Sequence, residues 1–376
     1  MSMTNRQRVH AIMNYEKYDM MPVMHFGFWP ELLQKWVNEG HLKPEEITDK
    51  NGEPPADYVA KKLGFDLDFC RLYGDFSTGF SLYPAFEPKV IKKLADGSYH
   101  ELNEEGVVVL QKPDVRSIPM EIEHTLIDRA SWEKHYLPRL QYTEDRFDDA
   151  TMKALAQQSN TRTEPLGINC KSLYGQIRNW LGVVGISYLY ADDEDLYDEI
   201  INTVGDLIYK STERLLKSGI KFDSAHFWED ICFNHGPLIN PAVFKEKVGP
   251  HYRRITSLLN EYGVNIISVD CDGLIDLLIP TWIENGVNTM FPIEVGTWNA
   301  SIAPWREKYG KELRGIGGMN KNLFGRDKAA IDAEIERLKP LVNLGGYIPC
   351  PDHRIPPDAK WSLIKYYCEK AKTELS

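Results

Sequence analysis

Short apolar runs, rich in β-branched and aromatic residues, recur along the chain: Met21 to Phe26, Phe65 to Leu72, Pro165 to Asn169, Phe222 to Phe227, Val264 to Val269, Thr289 to Pro292, Leu313 to Ile316 and Gly346 to Pro349. Between and after them lie stretches with helical periodicity. These are Pro30 to Trp36, Asp148 to Gln158, Leu173 to Leu181 with Glu194 to Leu216, Pro241 to Glu261, Asp276 to Asn285, Pro304 to Tyr309, Lys328 to Leu341 and Ala359 to Leu375. Strand–helix alternation is the pattern of a parallel sheet with helical crossovers. Repeated this many times, it predicts an α/β fold of the (β/α)8 TIM-barrel type, with residues 1–376 forming a single domain.

Two segments exceed what such a barrel requires. Residues 1–20 read as a helical lead-in with Thr4 as N-cap. Residues 73–147 form an inserted excursion after the second strand, in which Phe86 to Leu94, Ser98 to Asn103 and Val107 to Lys112 predict a β-meander. Its turns, Ala95-Asp96-Gly97 and Glu104-Glu105-Gly106, each carry a glycine that accepts positive φ. An insertion there stands over the barrel mouth; covering core or making a homodimer contact are its plainer uses.

Charge narrows the partners. With 44 Lys and Arg against 55 Asp and Glu the net charge is −11, which repels phosphate backbones and anionic lipid, so neither nucleic acid nor a membrane surface is expected. No apolar run reaches the ~18 residues of a membrane span, and no secretory signal is legible. The six cysteines (70, 170, 232, 271, 350 and 368) form no CxxC pair and read as free thiols of a cytoplasmic protein.

Barrel active sites gather at the carboxyl ends of the strands. The predicted ends deliver His25 and Trp29; Arg71, Tyr73 and Asp75; Asn169, Cys170 and Lys171; His226, Trp228, Glu229 and Asp230; Asp270, Cys271 and Asp272; Glu294; Asn320 and Lys321; Cys350, Asp352 and His353. Cys271, His353, His226 and Glu229 are residue types that make a zinc site with an open position. Taken singly, Cys271 also reads as a buried small residue and His226 as a satisfied core histidine. Asp352 either caps its loop or orients His353. No GxGxxG, Walker or GxSxG pattern is present.

Several segments together resemble the uroporphyrinogen decarboxylase superfamily: Asn5-Arg6-Gln7-Arg8-Val9, Met21-Pro22-Val23, Gly317-Gly318-Met319-Asn320-Lys321, and the run from Gly345 through Pro351-Asp352-His353 to Asp358. Within it, the chain is more similar to the corrinoid-linked methyltransferase branch. Where the decarboxylases carry an arginine-rich carboxylate clamp, this chain reads His25-Phe26-Gly27-Phe28-Trp29, which argues against a porphyrinogen substrate. The methyltransferase branch holds zinc with a His-x-Cys pair and a later cysteine. Here the pair position reads Val269-Asp270-Cys271, and the later position falls on His353.

The resemblance therefore implies a zinc-assisted methyltransferase moving a methyl group between a small, possibly methoxylated aromatic molecule and a corrinoid carried by a separate protein. Its metal ligands would be Cys271, His353, His226 and Glu229. Glu229, Asp270 and Tyr174 would be catalytic, and His25, Trp29, Tyr73, Arg178 and Trp228 would contact substrate. The rivals are a metal-free decarboxylase or lyase using Asp270, Asp75 and His353, and a non-catalytic barrel that binds a tetrapyrrole or corrinoid.

Overall fold

The computed structural model describes residues 2–47, 55–72, 79–112 and 119–375. Its strands, in chain order, are β1 (Met24–His25), β2 (Leu67–Asp68), β3 (Lys89–Lys93), β4 (Tyr99–Leu102), β5 (Val107–Gln111), β6 (Met120–His124), β7 (Gly167–Asn169), β8 (Ser224–Trp228), β9 (Cys232–Phe233), β10 (Gly236–Pro237), β11 (Ile267–Asp270), β12 (Thr289–Ile293), β13 (Arg314–Met319) and β14 (Tyr347–Pro351). The fold is mixed α/β. A six-stranded parallel sheet runs in the order β14-β13-β12-β11-β8-β7, and β1 pairs with β2 in parallel.

The two-stranded piece meets both ends of the large sheet. A parallel bridge joins Phe28 to Ile355 beyond β1 and β14, and past β2 the Leu72 carbonyl packs on Gly167 of β7, where a Cβ would fall 1.7 Å from it, and accepts from the Ser224 hydroxyl of β8 at 2.5 Å. Each strand of the large sheet is buried on both faces, as expected of a parallel sheet covered by helices. Among the described residues no helix is long and apolar enough to cross a membrane.

Local chemistry explains most element boundaries. Thr4 caps the lead-in helix Asn5–Met13 in a reciprocal box with Gln7. Asp148, Asp193, Ser301 and Asp327 each cap a helix that begins at the next residue. Buried Asp223 ties the lead-in helix to the sheet, accepting from Arg6 at 2.7 Å and Arg162 at 2.6 Å, with the His10 ring at 2.8 Å.

The structure departs from the expected pattern in four places. The insertion carries a four-stranded antiparallel sheet, β3-β4-β5-β6, in place of three strands; β6 escapes notice because three of its five residues are charged or polar and none is buried. A helix, Pro55–Leu63, precedes β2 where none was expected. The helix predicted from Pro241 is drawn through a π turn at Phe244–Val248 before continuing as Gly249–Glu261. The last helix starts at Trp361, two residues after the predicted Ala359, and the carbonyls of the preceding Pro356 and Pro357 accept from Ala359 N and Lys35 Nζ.

Candidate active site

The carboxyl ends of β8 and β11 converge. Asp230 lies two residues past β8, Asp270 ends β11, and Asp272 follows it; the nearest carboxylate oxygens of all three lie within 4.8 Å of one another. Successive residues of extended chain point to opposite sides, so Asp270 and Asp272 share one side and Cys271 takes the other. The register sets Asp270 between Trp228 on β8 and Phe291 on β12.

Hydrogen bonds fix the cluster. Trp228 Nε1 donates to Asp230 Oδ2 at 3.0 Å, the Asp272 backbone N–H donates to Asp230 Oδ1 at 3.3 Å, and Arg178 Nη2 holds the Asp230 carbonyl at 3.0 Å. Asp230 adopts φ 47°, a left-handed conformation that costs a non-glycine residue about 1–2 kcal/mol and persists only where surroundings enforce it. Buried Glu294 accepts from Gly273 N at 2.6 Å and Thr297 Oγ1 at 2.8 Å. Gly273 has φ 91°, and a Cβ there would meet the Cys232 carbonyl at 2.8 Å, so only glycine lets this loop pass so close to β9.

Around the carboxylates stand aromatic rings and the β14 loop. His353 lies 3.7 Å from Asp272 Oδ2, stacks on Trp29 with centroids 5.9 Å apart, and meets the edge of Phe26. Below, Phe26, Phe69 and Phe291 pack on one another, and His226 meets the edge of Phe69. Asp352, fully buried, accepts from Gly296 N and Lys321 N and pairs with Lys321 Nζ at 3.3 Å, which holds the loop carrying His353.

Burial, then the nearby Asp230, Asp272 and Glu294 carboxylates, raises the Asp270 pKa well above the ordinary range. The same causes, with Asp230 and Glu294 as the main neighbours, push Asp272 up to about 7. Burial and the adjacent Lys321 and Arg354 bring His353 down to about 4. The carboxyl groups of the cluster are thus held as weaker acids, and the His353 imidazole as a weaker base, than they would be in water.

A carboxyl that is a weaker acid folded than unfolded stabilises the fold at low pH, and that contribution is lost as pH rises from about 4 towards 7. Asp272→Asn should therefore raise the melting temperature near pH ~8 but not near pH ~4. The gain expected is about 1 kcal/mol, because the Asp272 side chain is 41% exposed and solvent screens its neighbours. Equal melting shifts at both pH values would contradict this.

The structure places the other expected site residues as follows. Glu229 is buried and its oxygens are occupied: they accept from Ser172 Oγ at 2.8 Å, the backbone N–H groups of Leu173, Tyr174 and Gly175 at 3.1, 3.0 and 2.7 Å, and the Tyr252 hydroxyl. It caps the helix Gly175–Asp192 from a neighbouring strand, and a Cβ at Gly175 would fall 1.8 Å from the Glu229 carbonyl. Tyr174 is buried with its hydroxyl accepting from Tyr197 at 3.2 Å. His226 is buried against Ser268 Oγ at 2.8 Å, and burial lowers its pKa to about 3.

Cys271 is buried on the far side from its flanking aspartates, with its thiol beside Cys232 and burial raising its pKa. His25 points away from the mouth, packing on Phe28 and Phe65, with Nδ1 accepting from Gly27 N at 3.0 Å. Trp29 and Trp228 do adjoin the cluster, stacking on His353 and donating to Asp230, and Arg178 braces the Asp230 carbonyl. Tyr73 and Asp75 lie outside the described residues.

Two groups of three metal-ligand side chains come within 4.8 Å among the described residues, His25-Asp57-Asp68 and Asp230-Asp270-Asp272. Neither contains Cys271, His353, His226 or Glu229, so the expected zinc ligand set is not brought together. The expected effect of Cys271→Ser is accordingly on stability: burying a hydroxyl in place of this thiol should cost about 1–3 kcal/mol, read as a lower denaturation midpoint with an unchanged m-value. An unaltered midpoint would show that Cys271 does not pack as described.

Asp230, Asp272 and Glu294 belong to the strand-end residues of the sequence, where thiolate and imidazole are the more conspicuous metal ligands. The signal that identifies them is the i, i+2 spacing of Asp270 and Asp272 just past a strand, which puts two acids on one side.

No protein-family model and no curated protein matches the chain. Among solved structures, the fold is similar to that of a methyltransferase from Methanosarcina mazei, with a TM-score of 0.59 and 13% identity over 99% of each chain. A vitamin-B12-independent methionine synthase candidate from Listeria monocytogenes aligns with a TM-score of 0.36 and 13% identity over 59% of this chain and 69% of that one. At 13% identity the likeness is one of fold.

Proposed function

We propose that this chain is a methyltransferase that moves a methyl group between a small molecule and a corrinoid carried by a separate protein, with proton handling by carboxyl groups at the mouth of a (β/α)8 barrel. The observation that carries this reading is the convergence of Asp230, Asp270 and Asp272 at the carboxyl ends of parallel strands, beside Glu294 and His353. The barrel reading draws support from the Phe28–Ile355 bridge beyond β1 and β14, from the packing of Leu72, past β2, on Gly167 of β7 and from the full-length likeness to a methyltransferase fold. Residues 1–376 then form one domain bearing the β3–β6 sheet as its insertion.

Demethylation of an ether or amine leaves a basic oxygen or nitrogen that must gain a proton. Asp270, kept protonated by burial and by neighbouring carboxylates, supplies that proton from its carboxyl oxygen, and Asp272 with neutral His353 restores it from solvent. Trp29 and Trp228 flank the substrate ring, which favours a methoxylated aromatic over a polyanion. The corrinoid supplies the nucleophile that takes the methyl group. Zinc is not assigned a step, because Glu229 is filled by five donors and, among the described residues, neither Cys271 nor His353 belongs to a group of three metal-ligand side chains.

A metal-free carboxy-lyase is the second reading, favoured by the same protonated Asp270, which could quench a carbanion. The two separate in one experiment. The purified chain is incubated with a methoxylated aromatic and reduced cobalamin, and the phenol product is measured alongside carbon dioxide release from the corresponding benzoate. Phenol with methylated corrinoid supports the proposal; carbon dioxide without either overturns it.

A further inference from the structure

The loop that follows β14 is pinned on both sides of Arg354. Before it, Asp352 accepts from Gly296 N at 2.9 Å and from Lys321 N at 3.1 Å. After it, Ile355 N donates to Gly27 O at 3.1 Å, and Ile355 bridges Phe28. From this fixed backbone the Arg354 side chain reaches out to solvent, with its guanidinium over the Trp29 ring, 5.9 Å from the centroid. The same ring stacks on His353.

Arg354 makes no hydrogen bond or ion pair with any described residue. Yet acids are near: its charge opposes the rise of the Asp270 pKa, so guanidinium and carboxyl lie within electrostatic reach of each other. Coulomb attraction draws a mobile cation onto such an acid. Stacking on Trp29 holds this one off, a contact worth about 0.5–1 kcal/mol at an exposed site. Its five N–H donors, set in a planar fork, are therefore unspent. Lys321 is a second cation whose field, with that of Arg354, reaches His353; its ammonium meets only Asp352, at 3.3 Å.

We propose that Arg354 receives a carboxylate of the substrate, so that the molecule demethylated here is a methoxylated aromatic acid and not a neutral ether. This rests on the reading of the mouth as a demethylation site and adds the class of its substrate. The guanidinium fork matches the two oxygens of a carboxylate, and the Trp29 ring beside it offers an apolar face to the aromatic body. The charged end of such a molecule stays at the exposed rim, where it keeps part of its hydration, while the ether end enters towards buried Asp270. A single negative charge suits a site whose floor holds Asp230, Asp270, Asp272 and Glu294, since a dianion meets twice the repulsion.

Binding is read apart from turnover. Calorimetric titration of the full chain with para-methoxybenzoate and with its methyl ester is expected to show the acid binding at least ~10-fold more tightly, the worth of one charge-assisted hydrogen-bonded pair. That preference should shrink as salt rises. Arg354→Met should bring acid and ester to equal affinity with circular dichroism unchanged, since the side chain ties down no other residue; Arg354→Lys should keep part of the preference. A wild type that binds acid and ester equally, or fails to bind the acid, or an Arg354→Met variant that keeps the preference, would overturn the inference. Methyl transfer to reduced cobalamin is followed in the same samples. Transfer from the ester without Arg354-dependent binding of the acid overturns this inference alone, whereas Arg354-dependent binding without any transfer leaves the carboxylate site standing and overturns the reading on which it rests.

Discussion

Glu229→Gln is expected to destabilise the fold by about 2–3 kcal/mol, the cost of leaving buried hydrogen-bond donors unsatisfied. The buried carboxylate receives three backbone N–H groups and two hydroxyls at once. A glutamine would keep one acceptor and turn an NH2 group towards donors, leaving buried N–H groups at the helix Gly175–Asp192 unpaired. Because that helix carries Arg178, whose guanidinium holds the Asp230 carbonyl, loss of the cap should also loosen the acidic cluster. Urea denaturation measures the effect; a change below about 1 kcal/mol would mean that the network is not as closed as it is drawn here.

Asp270→Asn should lower the rate of the proposed demethylation by about 10²–10⁴-fold, the usual contribution of a positioned general acid, while leaving stability nearly unchanged or higher. The asparagine fills the same volume between Trp228 and Phe291 but carries no transferable proton. It also removes a carboxyl whose ionisation the fold opposes, so melting at neutral pH should not fall. The split matters: activity lost with stability kept places Asp270 in the chemistry, whereas both lost together would make it a structural acid. Asp230→Asn offers the contrast. Its side chain is engaged by Trp228 and by the Asp272 backbone, so it acts by positioning and its loss should disturb the loop as well.

What was legible along the chain follows from local rules. Alternating apolar runs and helical periods located the eight parallel strands, because a strand covered on both faces must be apolar throughout and its covering helix must be amphipathic. The cap at Thr4 was readable for the same reason: a short polar side chain beside a helical run answers orphan N–H groups without any distant partner. β6 was not readable, since an exposed edge strand such as Met120–His124 has no buried face to impose a pattern.

The site needed tertiary structure. The sequence put Glu229, Asp230, Asp270, Cys271 and Asp272 near strand ends, yet whether each faces the mouth turns on a one-residue alternation and on which loop passes behind it. Glu229 and Asp230 are adjacent in sequence and do unrelated work, one sealed under a helix terminus, the other bent into the cluster by a left-handed backbone. His25 and Phe26 divide in the same way, only Phe26 reaching His353. Composition and periodicity determine which segments become strands and helices, because those preferences are satisfied by neighbours a few residues away. The direction of a single side chain at a strand end is decided by contacts from elements forty or more residues distant, and that information exists only once the sheet has assembled.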